Sequence, residues 1–420
     1  MENNVQKFDI VVIGGGPAGM MAAGKAAEMG AKVAILEKND KLGQKLLLTG
    51  NGRCNITNAE FNNRKLADQY GKEGKVLLSP FSVFAPKDVI DFFEKIKVKT
   101  KIERGNRVFP ESNRAVIVLK ALLNLLKKHK VDILSNTHVV EFKKNSDENI
   151  SHILTENKKK ITANNYIICT GGKSYPTLGS TGEGYRWAQK LGHSINKPSP
   201  ALVPMRIKES WAKELQGLGL KNVELKTVSG KIKRFGEMMF THFGIGGPIV
   251  LDMSKEIGEL LENQKKVEII LDLKPALNLQ ELDKRIQKDF DKFANKLFKN
   301  SLEDLLPQRL IPAVITFSGI SPDKKTNSIT KKERAYLAYT LKNIRLTVTE
   351  LMGFDRARVT TGGVSTKEID FKTMKSKIIG NLFFAGEIID LDGPCGGFNL
   401  QLCWTTGYVA GQNAAKMLNK

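Results

Sequence analysis

At 420 residues the chain is long enough for two or three domains and a large buried core, and its composition of 41% hydrophobic and 7% aromatic residues is that of a globular protein. No apolar run approaches the roughly 20 residues that cross a bilayer, and the opening MENNVQKFDIVVIGGG has no basic region ahead of its apolar stretch, so a membrane partner and a signal peptide are not expected and a cytoplasmic location is. The balance of 66 Lys+Arg against 44 Asp+Glu, a formal net charge of +22, reads either as a polyanionic partner, with RNA the first candidate, or as lysine-rich composition without a partner.

Lys7 to Lys38 reads as one β-turn-α-β unit with parallel pairing: FDIVVI a buried strand, GGGPAG a turn, MMAAGKAAEM a helix of small residues stopped by Gly30, and AKVAILEK a second strand. Lys41 to Asn58 is loop-like around a short helical piece and ends in TGNGRCNITN (Thr49–Asn58), whose glycines and asparagines suit a shaped loop. Helices are expected at Ala85–Lys97 and Ser112–Lys128, with a strand and turn in IERGNRVFP between them. VDILSNTHVVEFKKN, ENISHILTENKKK and ITANNYIICTGG read as strands, with Lys158–Lys160 at a hairpin tip, and a helix follows at Gly182–Leu191. Ser199 to Leu273 is strand-like with many short turns, including GIGG at Gly244–Gly247 followed by Pro248 and a strand-like run. Leu277 to Leu341 is helical and highly charged; LTVTELM, ARVTTGGV and NLFFAGEII are strands; a helix from Phe398 to Asn419 closes the chain. There are no internal repeats. The layout is an α/β domain built from both chain ends with a β-rich and helical insertion, divided as 1–195, 196–276, 277–345 and 346–420.

Gly14-x-Gly16-x-x-Gly19 follows the first strand directly and opens the first helix, and Glu37 ends the next strand 18 residues after Gly19. Each part has a task in dinucleotide binding. Gly14 makes the tight turn, Gly16 admits a pyrophosphate to the backbone, and Gly19 lets helix and strand pack closely. The helix N-terminus offers free N–H groups to the pyrophosphate, and Glu37 accepts the hydroxyls of the adenosine ribose.

The C-terminal end separates FAD from NAD. There, a strand ends in Gly386-Glu387, and Gly396-Gly397 opens the last helix, a closure that resembles glutathione-reductase-type flavoproteins. Cys169 to Gly172, CTGG, is similar to their middle ATGG element. Bare amides at Gly396 and Gly397 would stabilise negative charge on a reduced flavin. A second GxGxxG in strand–helix context is missing, so no separate nicotinamide domain is expected. The four cysteines (Cys54, Cys169, Cys395, Cys403) form neither CxxC nor CxxxxC, which argues against a metal centre, structural disulfides and disulfide-reductase chemistry.

GGGPAG, GNGRCNITN, THFGIGGP and GEIIDLDGPCGGFNLQ together resemble the BaiN/RdsA-type family of NAD(P)/FAD-dependent oxidoreductases, over essentially the whole chain. The resemblance implies a Rossmann-like FAD-binding domain with an inserted β-barrel-like and helical substrate domain. Asn51 replaces a glycine of the family pattern, a change that keeps positive φ accessible. The expected FAD set is Gly14, Gly16, Pro17, Ala18, Gly19, Glu37, Lys38, Gly50, Gly52, Arg53, Cys54, Asn55, Val140, Thr170, Gly171, Gly172, Gly386, Glu387, Gly396, Gly397, Phe398 and Asn399, with NAD(P)H as transient reductant.

Family activities include reduction of a uridine in 23S rRNA to dihydrouridine and reduction of conjugated steroid ketones, both hydride additions to an α,β-unsaturated carbonyl. The leading expectation is therefore an rRNA uridine reductase; the alternatives are a small-molecule enone reductase or amine oxidase, and a non-catalytic flavoprotein. Four residues are candidates for the catalytic group. Cys54 and Cys395 either donate a proton or pack beside the flavin; His242 is either a substrate-side acid or structural; Arg53 either contacts flavin or substrate or holds its loop by a salt bridge.

Overall fold

The apolar run Ile10–Ile13 forms the end of strand β1 (Gln6–Ile13), and none of the four residues is more than 3% exposed. Both faces of this strand are covered, which explains a continuous rather than alternating apolar pattern. In the computed structural model, which describes residues 5–419, β1 leads into helix α1 (Pro17–Glu28) and then strand β2 (Val33–Leu36). β2 lies parallel to β1, in register from Ile10↔Val33 to Ile13↔Leu36. A short helix, α2 (Gln44–Leu48), precedes the Thr49–Asn58 loop, and α3 (Ala115–Lys128) follows further on. Strand β3 (Asp132–Leu134) adds to the outer edge of β2, and β4 (Lys160–Ile168) flanks β1 on its other side, both parallel.

The chain divides into two compact units, one running up to Pro200 and again from Phe354, the other Ala201–Gly353. The second unit holds a closed six-stranded barrel. Its strands are β5 (Met205–Ile207), β6 (Gly219–Thr227), β7 (Lys233–Thr241), β8 (Gly244–Gly246), then, after helix α4 (Pro248–Asn263), β9 (Val267–Asp272). Helices α5 (Leu279–Lys292) and α6 (Lys331–Lys342) intervene before β10 (Ile344–Leu351), and the barrel order is β5-β8-β7-β6-β9-β10, closed by β10 on β5. These two helices begin on capping boxes, Asn278 with Glu281 and Thr330 with Glu333. Leu282, Ile286, Leu337 and Leu341 of these helices share one apolar core with Leu225, Ile269, Leu271 and Leu346 of the barrel.

One expected strand is a helix. The run after Gly247 is α4, with Pro248 at its first position and Ile249, Val250, Met253 and Ile257 buried. Three neighbouring apolar residues, Ile249 to Leu251, imitate a strand, but the later spacing is helical and the proline supplies a helix start.

The first unit is completed by β11 (Leu382–Phe384), parallel to β4, and α7 (Phe398–Lys416). The parallel core of the sheet therefore runs β3-β2-β1-β4-β11. The two ends of the chain meet backbone to backbone. A Cβ on Gly407 would stand 2.5 Å from the carbonyl oxygen of Ala18, and one on Gly411 2.2 Å from that of Ala22. Those glycines, with the alanine-rich face of α1, allow α7 to lie directly on the helix that opens the glycine turn. Among the described residues, no helix is long and apolar enough to cross a membrane.

Candidate functional site: a cleft in the first unit

The carboxyl ends of β1, β2 and β4, where doubly wound sheets place ligands, open into a cleft enclosing about 890 Å³ including its mouth. The GGGPAG turn forms its floor. Gly14 sits at φ +105, and a Cβ there would approach the Cys169 carbonyl oxygen to 2.5 Å, so the turn accepts only glycine. Gly16 caps α1 with no side-chain partner, and a Cβ on it would meet nothing within 4 Å. The positive end of a 12-residue helix thus faces open space. Gly19 and Gly172 stand behind this surface rather than on it: a Cβ on Gly19 would reach the Gly14 oxygen, and one on Gly172 would reach Thr360 Oγ1.

Glu37 is buried beside the turn. Its carboxylate accepts the Gly15 amide at 2.8 Å and the Asn39 amide at 2.9 Å, which fixes it at the end of β2 with lone pairs left for a ligand. Lys38 donates to Thr181 Oγ1 at 2.8 Å and pairs with Glu183 at 3.1 Å; Glu183 in turn lies 3.3 Å from His138 Nε2. Farther along the wall, Lys45 of α2 donates to Glu387 at 2.7 Å, and the Thr360 amide donates to the other oxygen of Glu387 at 2.7 Å. Thr170 Oγ1 is buried in this wall without a hydrogen-bond partner among the described residues.

Gly14, Gly16, Pro17, Ala18, Glu37, Lys38, Thr170, Gly171, Gly386 and Glu387 all line the cleft. Val140 does not: it is 43% exposed, and its neighbour Val139 faces the cleft instead, because successive strand residues point to opposite sides. Lys45, Asn39, His138 and Glu183 also line the cleft, beyond the residues that the sequence motifs single out. Asn39 directly follows Lys38 and Lys45 lies in α2, while His138 and Glu183 come from two segments farther along the chain, and no local motif marks them.

The Thr49–Asn58 loop has four departures from ordinary backbone within five residues: Gly50, Asn51, Gly52 and Cys54 are all at positive φ. It is anchored to the last helix and its approach. Trp404 Nε1 donates to the Ile56 carbonyl at 2.9 Å, Asn58 Nδ2 donates to the Gly396 carbonyl at 3.1 Å, and Gly397 abuts Thr57 so closely that a Cβ would stand 2.4 Å from its carbonyl. Arg53 stacks 3.9 Å over Phe109 and binds Glu103 at 2.5 Å and Asn113, holding Glu103 below the usual carboxylate range. It braces the loop. Cys54 is fully buried, and burial pushes its thiol up to about 12. A thiol held there stays protonated at neutral pH, which disfavours a nucleophilic role. Asn55 Oδ1 is buried without a partner among the described residues.

The Gly393–Asn399 turn is held from within. Asn399 accepts from the Gly393 amide at 2.9 Å and donates to the Gly393 carbonyl at 2.7 Å. Phe398 packs edge-on against Tyr70, whose hydroxyl donates to the Phe398 carbonyl at 2.7 Å. Cys395 is half-buried in this turn, and no disulfide involves it. His242 belongs to the second unit, between β7 and β8, with its ring edge-on to Phe243.

The parallel sheet, the glycine turn with its carboxylate and the barrel insertion are those of the Rossmann-type FAD-dependent oxidoreductases. The family model described as "HI0933-like protein Rossmann domain" matches residues 8–413, and the chain belongs to that family. It is 31% identical to the 3-dehydro-bile acid delta(4,6)-reductase of Clostridium scindens, covering 97% of this chain and 99% of the relative. It is 30% identical to the ribosomal RNA dihydrouridine synthase of Haemophilus influenzae, covering 96% and 97%. Among solved structures, the 3-ketosteroid delta1-dehydrogenase of Sterolibacterium denitrificans superposes with a TM-score of 0.55 at 15% identity, covering 98% of this chain and all of that one, a likeness of fold.

Proposed function

We propose that the chain binds FAD in this cleft and reduces the conjugated C5=C6 bond of a uridine in 23S rRNA, with NAD(P)H as reductant. The observation that carries the cofactor reading is the conjunction at the cleft floor: an open helix N-terminus at Gly16, a fixed carboxylate at Glu37, and an unpartnered Thr170 hydroxyl. These fit a dinucleotide. The first-turn amides of α1 would hold the pyrophosphate, Glu37 the adenosine ribose, and Thr170 Oγ1 a polar atom of the same ligand. Lys45 and Glu387 fix one another along the wall that continues from this floor. When bound, FAD supplies two-electron hydride chemistry. The net reaction consumes NAD(P)H and one proton and leaves a C–C single bond, one carbon taking the hydride equivalent and its neighbour the proton.

The surroundings of Arg53 and Cys54 speak against either as the proton donor. Arg53 is committed to Glu103, Asn113 and Phe109, and the Cys54 thiol is buried and pushed far above a useful general-acid range. Cys395 and His242 are the donors to test, by Cys395→Ala and His242→Gln. The RNA substrate is supported by the net charge of +22 and by the dihydrouridine-synthase relatives, and it goes with a cytoplasmic location. The test is mass spectrometry of nucleosides from 23S rRNA of cells lacking the gene. Loss of one dihydrouridine is expected; an unchanged content sinks the substrate. The similarity to the bile acid reductase favours a second reading, a small conjugated ketone reduced by the same chemistry, which turnover assays with NAD(P)H and steroid enones would reveal.

A further inference from the structure

The basic stretches KIKRF (Lys231–Phe235) and KKVE (Lys265–Glu268) lie far apart in the chain and take no part in the cleft. Strand register brings them onto one outer face of the barrel. Lys233 of β7 stands opposite Lys226 of β6, Lys226 opposite Ile270 of β9, and Ile270 opposite Arg345 of β10. Directly paired residues point to the same side, so this is one row across four strands, about 14 Å long at three strand spacings. Phe235, two residues from Lys233 on the same side, is 59% exposed. Lys231 leads into β7, and Lys266 leads into β9 with the parity of Glu268 and Ile270; both lysines are exposed.

The charges on this face are poorly neutralised. Lys226 lies 3.8 Å from Glu224, a long and half-buried pair, and Arg345 lies 3.4 Å from Glu268 at the surface, where such pairs contribute little. Lys231, Lys233 and Lys266 have no carboxylate partner among the described residues. Five cations therefore face three carboxylates: Glu268, Glu224, which stands opposite Phe235, and Asp272, which is buried and paired with Lys342 at 2.8 Å; Glu237 lies farther along β7 beyond the aromatic. The interior of the same strands is apolar, with Leu225, Ile269 and Leu346 fully buried, so neither the cations nor an outward phenylalanine serve the barrel's core.

We propose that this face binds single-stranded RNA, the cationic row tracking phosphates and Phe235 stacking on a base. Exposed aromatics between lysines on a sheet surface suit unpaired nucleotides, because every base has a π-face and every phosphate a charge. The proposal rests on the RNA reading given above and adds to it the surface that holds the strand.

The experiment is fluorescence anisotropy of a labelled single-stranded RNA oligonucleotide against the full-length, flavin-loaded protein over a range of salt. Removing one cation that neutralises a phosphate lowers the slope of log Kd against log salt by about 0.7. The triple variant Lys226→Ala/Lys233→Ala/Arg345→Ala is expected to lower it by about 2, and Lys226→Arg/Lys233→Arg to keep it. Phe235→Ala is expected to weaken binding about tenfold at every salt concentration with the slope unchanged. The control, Lys120→Ala/Lys127→Ala on α3 of the first unit, should alter neither. Flavin content and melting temperature establish that each variant is folded. Wild-type binding with an unchanged slope in the triple variant, or an equal loss in the control, overturns this face and leaves the RNA reading standing. No RNA binding by the wild type removes both. Tighter binding to phosphatidylserine vesicles than to RNA overturns the proposal in favour of an anionic membrane.

Discussion

Gly16 and Gly19 belong to the same glycine pattern, yet the structure assigns them opposite costs when a methyl group is added. Gly16 has ordinary extended dihedrals (φ −77, ψ −175), and a Cβ there meets nothing within 4 Å. Gly16→Ala should therefore leave the flavin-free protein within about 0.5 kcal/mol of wild type. The added methyl would occupy the open space proposed above for the pyrophosphate. With FAD at a hundredfold its wild-type Kd, the wild type gains about 2.7 kcal/mol from binding; a variant with a hundredfold weaker affinity gains about 0.4 kcal/mol. Gly19→Ala is the reverse case. Its Cβ would lie 1.9 Å from the Gly14 carbonyl oxygen, which is backbone within the turn. That overpacking costs about 1–3 kcal/mol whether or not FAD is present. Urea unfolding of flavin-stripped protein, with and without added FAD, measures both. A Gly16→Ala protein that retains the full FAD-dependent gain, or that is unfolded without FAD, would refute the reasoning.

Three further outcomes follow from the same geometry. Glu37→Ala leaves the Gly15 and Asn39 amides unpaired and should cost about 1–3 kcal/mol for each, while Glu37→Gln keeps one acceptor and should cost less; chemical denaturation of the flavin-free proteins compares them. Lys45→Met strips a largely buried partner from Glu387, which retains the Thr360 amide, and should lower stability by about 1–3 kcal/mol, read in the same assay. Stability should also fall on the alkaline side. Cys54 and Cys403 are pushed from their ordinary 9.0 to about 12 by burial. The folded protein therefore holds protons that the unfolded chain releases, so stability is full below pH 9 and is lost as pH rises from 9 towards 12. Unfolding measured between about pH 8 and about pH 10.5 should show this loss, and Cys54→Ala should reduce it.

The elements legible in the sequence are those whose signal is local. The buried strand, glycine turn and small-residue helix of residues 6–28 carry their own pattern, and so does the final glycine-opened helix. What escapes a sequence reading depends on parity or on distance. Val139 and Val140 are equally apolar, and only strand pairing decides which faces the cleft. Lys45 meets Glu387 across 342 positions, and the pair is visible only once β11 has been placed beside β4. Arg53 stays open between ligand contact and loop brace until the fold sets Phe109, Glu103 and Asn113 around it. The apolar start of α4 outweighs its proline because three adjacent apolar residues fit either period.

The most direct measurement is anaerobic visible spectroscopy of the purified, flavin-loaded protein. NAD(P)H should bleach the flavin band, and an unmodified 23S rRNA transcript added without oxygen should restore it, with one dihydrouridine appearing in that RNA. A colourless protein that FAD does not reconstitute, or a bleached flavin that the transcript leaves bleached while a small enone restores it, would contradict the assignment.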